Sequence, residues 1–151
     1  MAKRFIAGLI VVLVAIQWIP VDKTRPPVRE ELVLADPAVA QLARLACYDC
    51  HSNENTWPWY GDVAPVSWIV AGNIESARGR LNFTDMAATL AVIDQRTGAP
   101  RTRADIEQSL TTVFERDLMP PPYYLMTHPA ANLTADERAA LLAGIGEALS
   151  R

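Results

Sequence analysis

Residues 47–51 read Cys47-Tyr48-Asp49-Cys50-His51, and the rest of the chain is read outward from this pentapeptide. C-x-x-C-H is the spacing for covalent attachment of a c-type haem. Two thiols add to the two vinyl groups on one edge of a porphyrin, and the two residues between them set the sulfur separation. The histidine that follows then swings beneath the ring to bind iron. On this reading Cys47 and Cys50 are the thioether residues and His51 is the proximal ligand, and one motif means one haem c. Two other chemistries use the same residue types. Cys47, Cys50, His51 and His128 total four potential zinc ligands, but adjacent Cys50 and His51 do not easily converge on one small tetrahedral ion. A redox-active dithiol normally sits at the end of a strand in a βαβ pattern, and no such pattern is visible. Both cysteines of the chain fall inside the motif, which argues against chance.

The chain around the motif is short. Its 151 residues suit one compact domain with a short appendage. Half of them are hydrophobic and only 21% are charged, so wholesale disorder is excluded. The formal charge is −3 with no basic patch, which makes nucleic acid an improbable partner. Two cysteines exclude a disulfide scaffold.

Apolar residues are concentrated at the amino terminus. Residues 5–19, FIAGLIVVLVAIQWI, carry no charge, and Lys3 and Arg4 stand before them. A cleaved signal peptide and a retained membrane helix both fit. The run ends Trp18-Ile19-Pro20-Val21-Asp22 with no small-x-small cleavage site, which favours an uncleaved anchor over residues 1–20. Its span requires Lys3 and Arg4 to snorkel and Trp18 to sit at the far interface. Either way the amino terminus stays in the cytoplasm and the remainder is exported. Export agrees with the motif, because bacteria attach c-type haem outside the cytoplasm. Removing Lys3 and Arg4 from the 14 basic side chains leaves 12 against 17 acidic, so the exported part carries −5. Residues 21–36, with Pro26 and Pro27, read as an extended linker, or alternatively as a domain edge wrapping the core. Residues 37–151 form the haem domain.

Within that domain the periodicity is helical throughout. Asp36-Pro37 is an N-cap followed by proline at the first helical position, with Val39, Leu42 and Leu45 as its stripe. A second helix begins near Pro65, with Val66, Ile69, Val70, Ile74 and Ala77 on one face. A third follows Thr84 or Asp85, with Met86, Leu90 and Ile93 inward. A fourth starts at Thr102 with Ile106, Leu110, Val113 and Phe114. The last begins at Thr134, where Thr134 and Glu137 form a capping box before Leu141, Leu142, Ile145, Ala148 and Leu149. The expectation is an all-α domain of about five short helices and long loops.

Two loops, residues 51–64 and 117–133, are too long and too aromatic to be simple connections. They supply the candidates for the sixth iron ligand: Met119, Met126 and His128, with Met86 as a fourth choice on a helix. Met119 stands just before Pro120-Pro121-Pro122, which stiffen the chain and hold it out at low entropy cost. It is the preferred ligand, since electron carriers commonly use His/Met ligation. Trp57, Trp59 and Trp68 are candidates to pack on the porphyrin and donate to its propionates, with ordinary core aromatics as the alternative. Pro65 is the candidate to present a carbonyl to the second nitrogen of His51. Tyr123 flanks the Met119 loop. Asn82-Phe83-Thr84 and Asn132-Leu133-Thr134 match the glycosylation pattern but read better as turn and capping residues.

These blocks resemble a known family. CYDCHSNENTWPWYGDVAPVSWIV at 47–70, LNF at 81–83 and LMPPPYYLMTHPAANLTADE at 118–137 look like the small haem-binding domain family of bacterial monohaem c-type cytochromes. The resemblance covers about residues 40–148, and residues 86–101 depart from the more charged stretch usual there. It implies a cytochrome-c-like helical fold, haem carried by Cys47 and Cys50, a proximal His51 and a distal Met119.

The expected function is electron carriage by a cytochrome tethered to the bacterial inner membrane, with its haem domain in the periplasm. Its partner would be a membrane redox protein or complex. The alternative is a haem-based redox or gas sensor with a displaceable distal ligand. No paired carboxylates or distal base stand beside the motif, so an enzyme is not expected.

Overall fold

The computed structural model describes residues 1–151. It is all-α, and β pairing is limited to two isolated bridges, Glu30 with Asp85 and Ile93 with Pro100. Four helices start where short polar side chains satisfy the free N–H groups of a first turn. Helix α2, Pro37–Ala46, starts at Asp36, whose carboxylate accepts from the Ala38 N–H at 2.8 Å. Helix α6, Arg103–Glu115, starts at Thr102, which forms a reciprocal box with Asp105. The carboxy-terminal helix α8, Ala135–Ser150, has the expected box of Thr134 and Glu137. Helix α4 is Val66–Arg78, and α5 is the short Met86–Ala91, capped by Asp85. Two one-turn helices complete the domain: α3, Tyr48–His51, and α7, Pro122–Leu125.

Helix α8 is the spine, packing against both α6 and α2. Its Leu141, Ile145 and Leu149 are buried with Val39 and Ala43 of α2, Ile106 of α6, and Phe83. The approach to α2 is close. A Cβ added at Gly144 would lie 2.6 Å from Val39 Cγ1, inside any real carbon contact. Gly144→Ala should therefore destabilise by about 1–3 kcal/mol through overpacking, despite alanine's better helix propensity. A urea melt checks this, and Val39→Ala in the same chain should recover part of the loss.

Some expected inward positions face outward. Leu45 is exposed because α2 buries Val39 and Ala43 instead. Ile93 is exposed because α5 ends at Ala91, before reaching it. Val66 and Ile69 of α4 are exposed on an apolar groove that no helix covers.

Residues 21–36 lie along the domain. The Arg29 N–H donates to the Thr84 carbonyl at 3.1 Å, and Leu32 N–H to the Phe83 carbonyl at 2.7 Å. Leu32 is part of the buried core, so the second half of this segment wraps an edge of the domain, the alternative to a free linker. Pro26 and Pro27 prevent helix here, and the extended chain pairs with whatever backbone it meets.

The apolar amino terminus forms α1, Ala2–Ala15, continued by a 3-10 turn over Ile16–Trp18. No helix is long and apolar enough to cross a membrane. Every residue of α1 is exposed. The one side chain tying this region to the domain is Gln17. Its amide donates to the Ala64 carbonyl at 3.0 Å and accepts from the Ala64 N–H at 2.9 Å.

Candidate functional site

The Cys47–His51 motif spans the end of α2 and all of α3. Cys47 breaks the helix, and the one-turn α3 brings Cys50 and His51 round beside it. Both cysteines are free thiols. Burial pushes the Cys47 thiol up to about 12, with Cys50 adding to it. Burial and then the Asp49 carboxylate push Cys50 up to about 11. A redox-active dithiol needs a depressed thiol pKa, so this environment argues against exchange chemistry.

His51 is fixed by a contact that the sequence did not reveal. Its Nδ1–H donates to the Leu81 carbonyl at 2.9 Å, not to Pro65. Pro65 stands at the start of α4 and has no contact with the imidazole. The Leu81 bond sets the tautomer, with the proton on Nδ1 and a lone pair on Nε2. Burial lowers the His51 pKa, opposed by the carbonyls of Leu81 and Ala77, so the ring is held neutral as a metal ligand requires.

A buried polar latch holds Leu81 over the ring. The Phe83 N–H donates to the His51 carbonyl at 2.8 Å. The Asn53 N–H donates to Thr84 Oγ1 at 2.7 Å, and Asn82 Nδ2 donates to Asn53 Oδ1 at 2.8 Å. Thr89 closes the set by accepting from the Asn82 N–H at 2.8 Å. Asn53, Asn82, Thr84 and Thr89 are all buried and all paired, which gives the latch rigidity. Asn82 is therefore a latch residue and no glycosylation acceptor. The signal in the sequence was the pairing of Ser-Asn at 52–53 with Asn-Phe-Thr at 82–84, polar residues beside strong hydrophobes.

Two adjoining cavities open around His51. One, of about 330 Å³, is lined by Cys47, His51, Phe83, Ile106, Phe114 and Met119 among others. The second, of about 250 Å³, is lined by Cys50, His51, Ala77, Met119, Tyr123 and Tyr124 among others. His51, Met119 and Arg80 border both. The cavities thus form one cleft in which both thiols, an imidazole and a thioether meet a mixed wall, apolar at Phe83, Ile106 and Phe114 and charged at Arg80, Asp94, Arg96, Arg101 and Asp105. Leu110, Val113 and Phe114, expected as core, form a wall of this cleft.

The four candidate distal ligands separate by position. Met119 borders the cleft with His51. Met86 is 1% exposed in the core and Met126 is 84% exposed. His128 stacks on Tyr124 at 3.9 Å between ring centroids, while the Tyr124 hydroxyl donates to Asp49 at 2.8 Å. That pairing keeps His128 away from the cleft, on the neighbouring groove. No three of the His, Cys, Asp and Glu side chains are grouped to hold a metal ion, so the zinc tetrad does not assemble.

Of the other expected site residues, Tyr123 borders the cleft and accepts from Asn73 Nδ2 at 3.2 Å. Trp57, Trp59 and Trp68 do not border it. The Trp57 indole N–H donates to Asp62 at 3.1 Å. Trp59 is 80% exposed on a 3-10 turn, and Trp68 lies on the outer face of α4. These rings follow the motif closely in sequence, but the loop carries them away from it.

This donor set fits a haem. Two thiols flank one face-bound imidazole with a fixed tautomer, and a thioether borders the same cleft. A family model described as a haem-binding domain matches residues 11–147. No curated protein and no solved structure matches the chain.

Proposed function

Because the chain belongs to the haem-binding domain family, we propose that Cys47 and Cys50 bind one haem through thioether bonds. His51 and Met119 would then hold its iron, and the domain would carry single electrons. The observation that carries this reading is the cleft itself, where the oriented imidazole and the Met119 thioether share one space. When bound, the group supplies a one-electron couple at the iron. The chain supplies the rest. Leu81 holds the ring orientation, the latch at Asn53, Asn82 and Thr84 prevents it from moving, and the apolar part of the wall at Phe83, Ile106 and Phe114 packs against the group. Two protein ligands leave no open coordination site, which suits transfer and gives the protein no reaction of its own to catalyse.

The reading includes a tether. An apolar helix exposed on every side needs apolar surroundings. The helical run over residues 2–18 covers about 25 Å at 1.5 Å per residue, short of a hydrocarbon core of about 30 Å, so the tether relies on snorkelling side chains or local thinning of the bilayer to make up the difference. Lys3 and Arg4 at one end and Trp18 at the other suit the two interfaces. The tether places the haem domain at the periplasmic face of a bacterial inner membrane and raises its effective concentration near membrane redox partners.

One preparation tests both parts. Alkali-washed membranes from cells making the full chain should retain a haem-staining band of its mass. Acid-acetone extraction should leave the colour in the polypeptide, with the pyridine haemochrome spectrum of two thioethers. Extractable haem would end the covalent reading, and a band wholly in the soluble fraction would end the tether.

A further inference from the structure

The Met119 side chain reaches the cleft from a short stretch after α6, and one side chain of α8 holds that stretch. Arg138 Nη2 donates to the Phe114 carbonyl at 2.9 Å, and Nη1 donates to the Met119 carbonyl at 3.3 Å. The same guanidinium is 3.0 Å from Asp117 Oδ1 and lies over the Phe114 ring, 5.2 Å from its centroid. The last carbonyls of a helix have no partner within it. The Phe114 carbonyl already accepts from the Asp117 N–H at 3.2 Å, so Arg138 adds a second donor there and continues across to the ligand loop. Asp117, between the two carbonyls, has φ 52, so the chain reverses sharply there.

We propose that Arg138 is the positioning residue for the distal ligand. It fastens the backbone of Met119 to the α6–α8 pair and leaves the thioether free to face His51. The inference rests on the Met119 reading above. A guanidinium is a rigid planar fork with five donors, so one side chain reaches two carbonyls and a carboxylate at once. A lysine ammonium is a point donor on a flexible stem and replaces only part of this. Without the fork, the Met119 carbonyl loses its side-chain partner, the Leu118 N–H on the Val113 carbonyl and the Tyr124 hydroxyl on Asp49 hold the loop only on either side of it, and the methionine yields to an added ligand more readily.

The test uses holoprotein with haem attached. In the ferric wild type, the sulfur-to-iron charge-transfer band reports Met119 on iron, and imidazole titration reports how easily it is displaced. Arg138→Met keeps the apolar stem and removes the donors. It should bind imidazole at least about tenfold more tightly, with the band weakened. Arg138→Lys should fall between it and wild type. Thr134→Ala is the control on the same helix. It removes the α8 cap and lowers thermal stability, but should leave imidazole affinity unchanged. An Arg138→Met protein that is less stable yet titrates like wild type overturns the positioning role. Equal loosening in Thr134→Ala overturns it too, since any weakening of α8 would then suffice. A wild type without the band, unchanged by Met119→Ala, removes the Met119 reading and this inference with it.

Discussion

Haem-free protein carrying Cys47→Ala with Cys50→Ala is expected to show no cooperative thermal transition. Wild-type chain made without haem attachment should behave the same way, which separates loss of haem from loss of two thiols. The reason lies in the position of the cleft. Its walls include Phe83, Ile106 and Ile145, which belong to the single buried core. Without the porphyrin those side chains line an open cleft of about 330 Å³, and the cost is the apolar burial forgone there, roughly 25 cal/mol per Å². A domain of this size has a total stability of only about 5–15 kcal/mol. Relaxation of the walls reduces the cost but also destroys the packing of α6 on α8. Far-UV circular dichroism against temperature makes the measurement. A sharp, reversible transition in both haem-free samples would show that the helices fold without the porphyrin.

Met119→Ala has the second large effect. The ferric protein should lose its sulfur-to-iron band and become high-spin, or take up water or added ligand. Its reduction potential should fall by at least about 60 mV, a tenfold shift in a one-electron equilibrium. Met126→Ala should change neither property, because that side chain is 84% exposed. The pair of variants also separates the two functional classes. A carrier has a low-spin wild type that resists carbon monoxide until Met119 is removed. A ligand-binding module takes up the gas in the wild type. If the wild type is high-spin and Met119→Ala leaves its spectrum alone, Met119 is not on the iron.

The residues of the proposed attachment site were legible in the sequence. Cys47, Cys50 and His51 are adjacent along the chain, so their spacing alone carries the attachment reading. The helix starts at Asp36, Thr102 and Thr134 were legible for the same reason, since a cap acts within three residues of itself. The all-α class followed from periodicity, which is also local.

What the sequence left open depends on contacts between distant residues. The choice of Leu81 to hold His51, where Pro65 was expected, links positions 30 apart through a backbone carbonyl that no side-chain pattern marks. The aromatic residues Trp57, Trp59 and Trp68 lie close to the motif in sequence, yet the fold turns Trp59 and Trp68 outward and packs the half-buried Trp57 beside Gly61, with its N–H on Asp62. Residues 29–32 looked like linker because an extended segment with prolines has no period of its own. Only pairing with residues 83–86 makes them part of the domain. Met119 stood among four candidates until packing buried Met86, exposed Met126 and stacked His128 on Tyr124. Short-range rules fix which atoms can bond and where helices begin. Which of those atoms face one another across a cleft is decided by the packing of α8 on α2 and α6, and no local pattern encodes that arrangement.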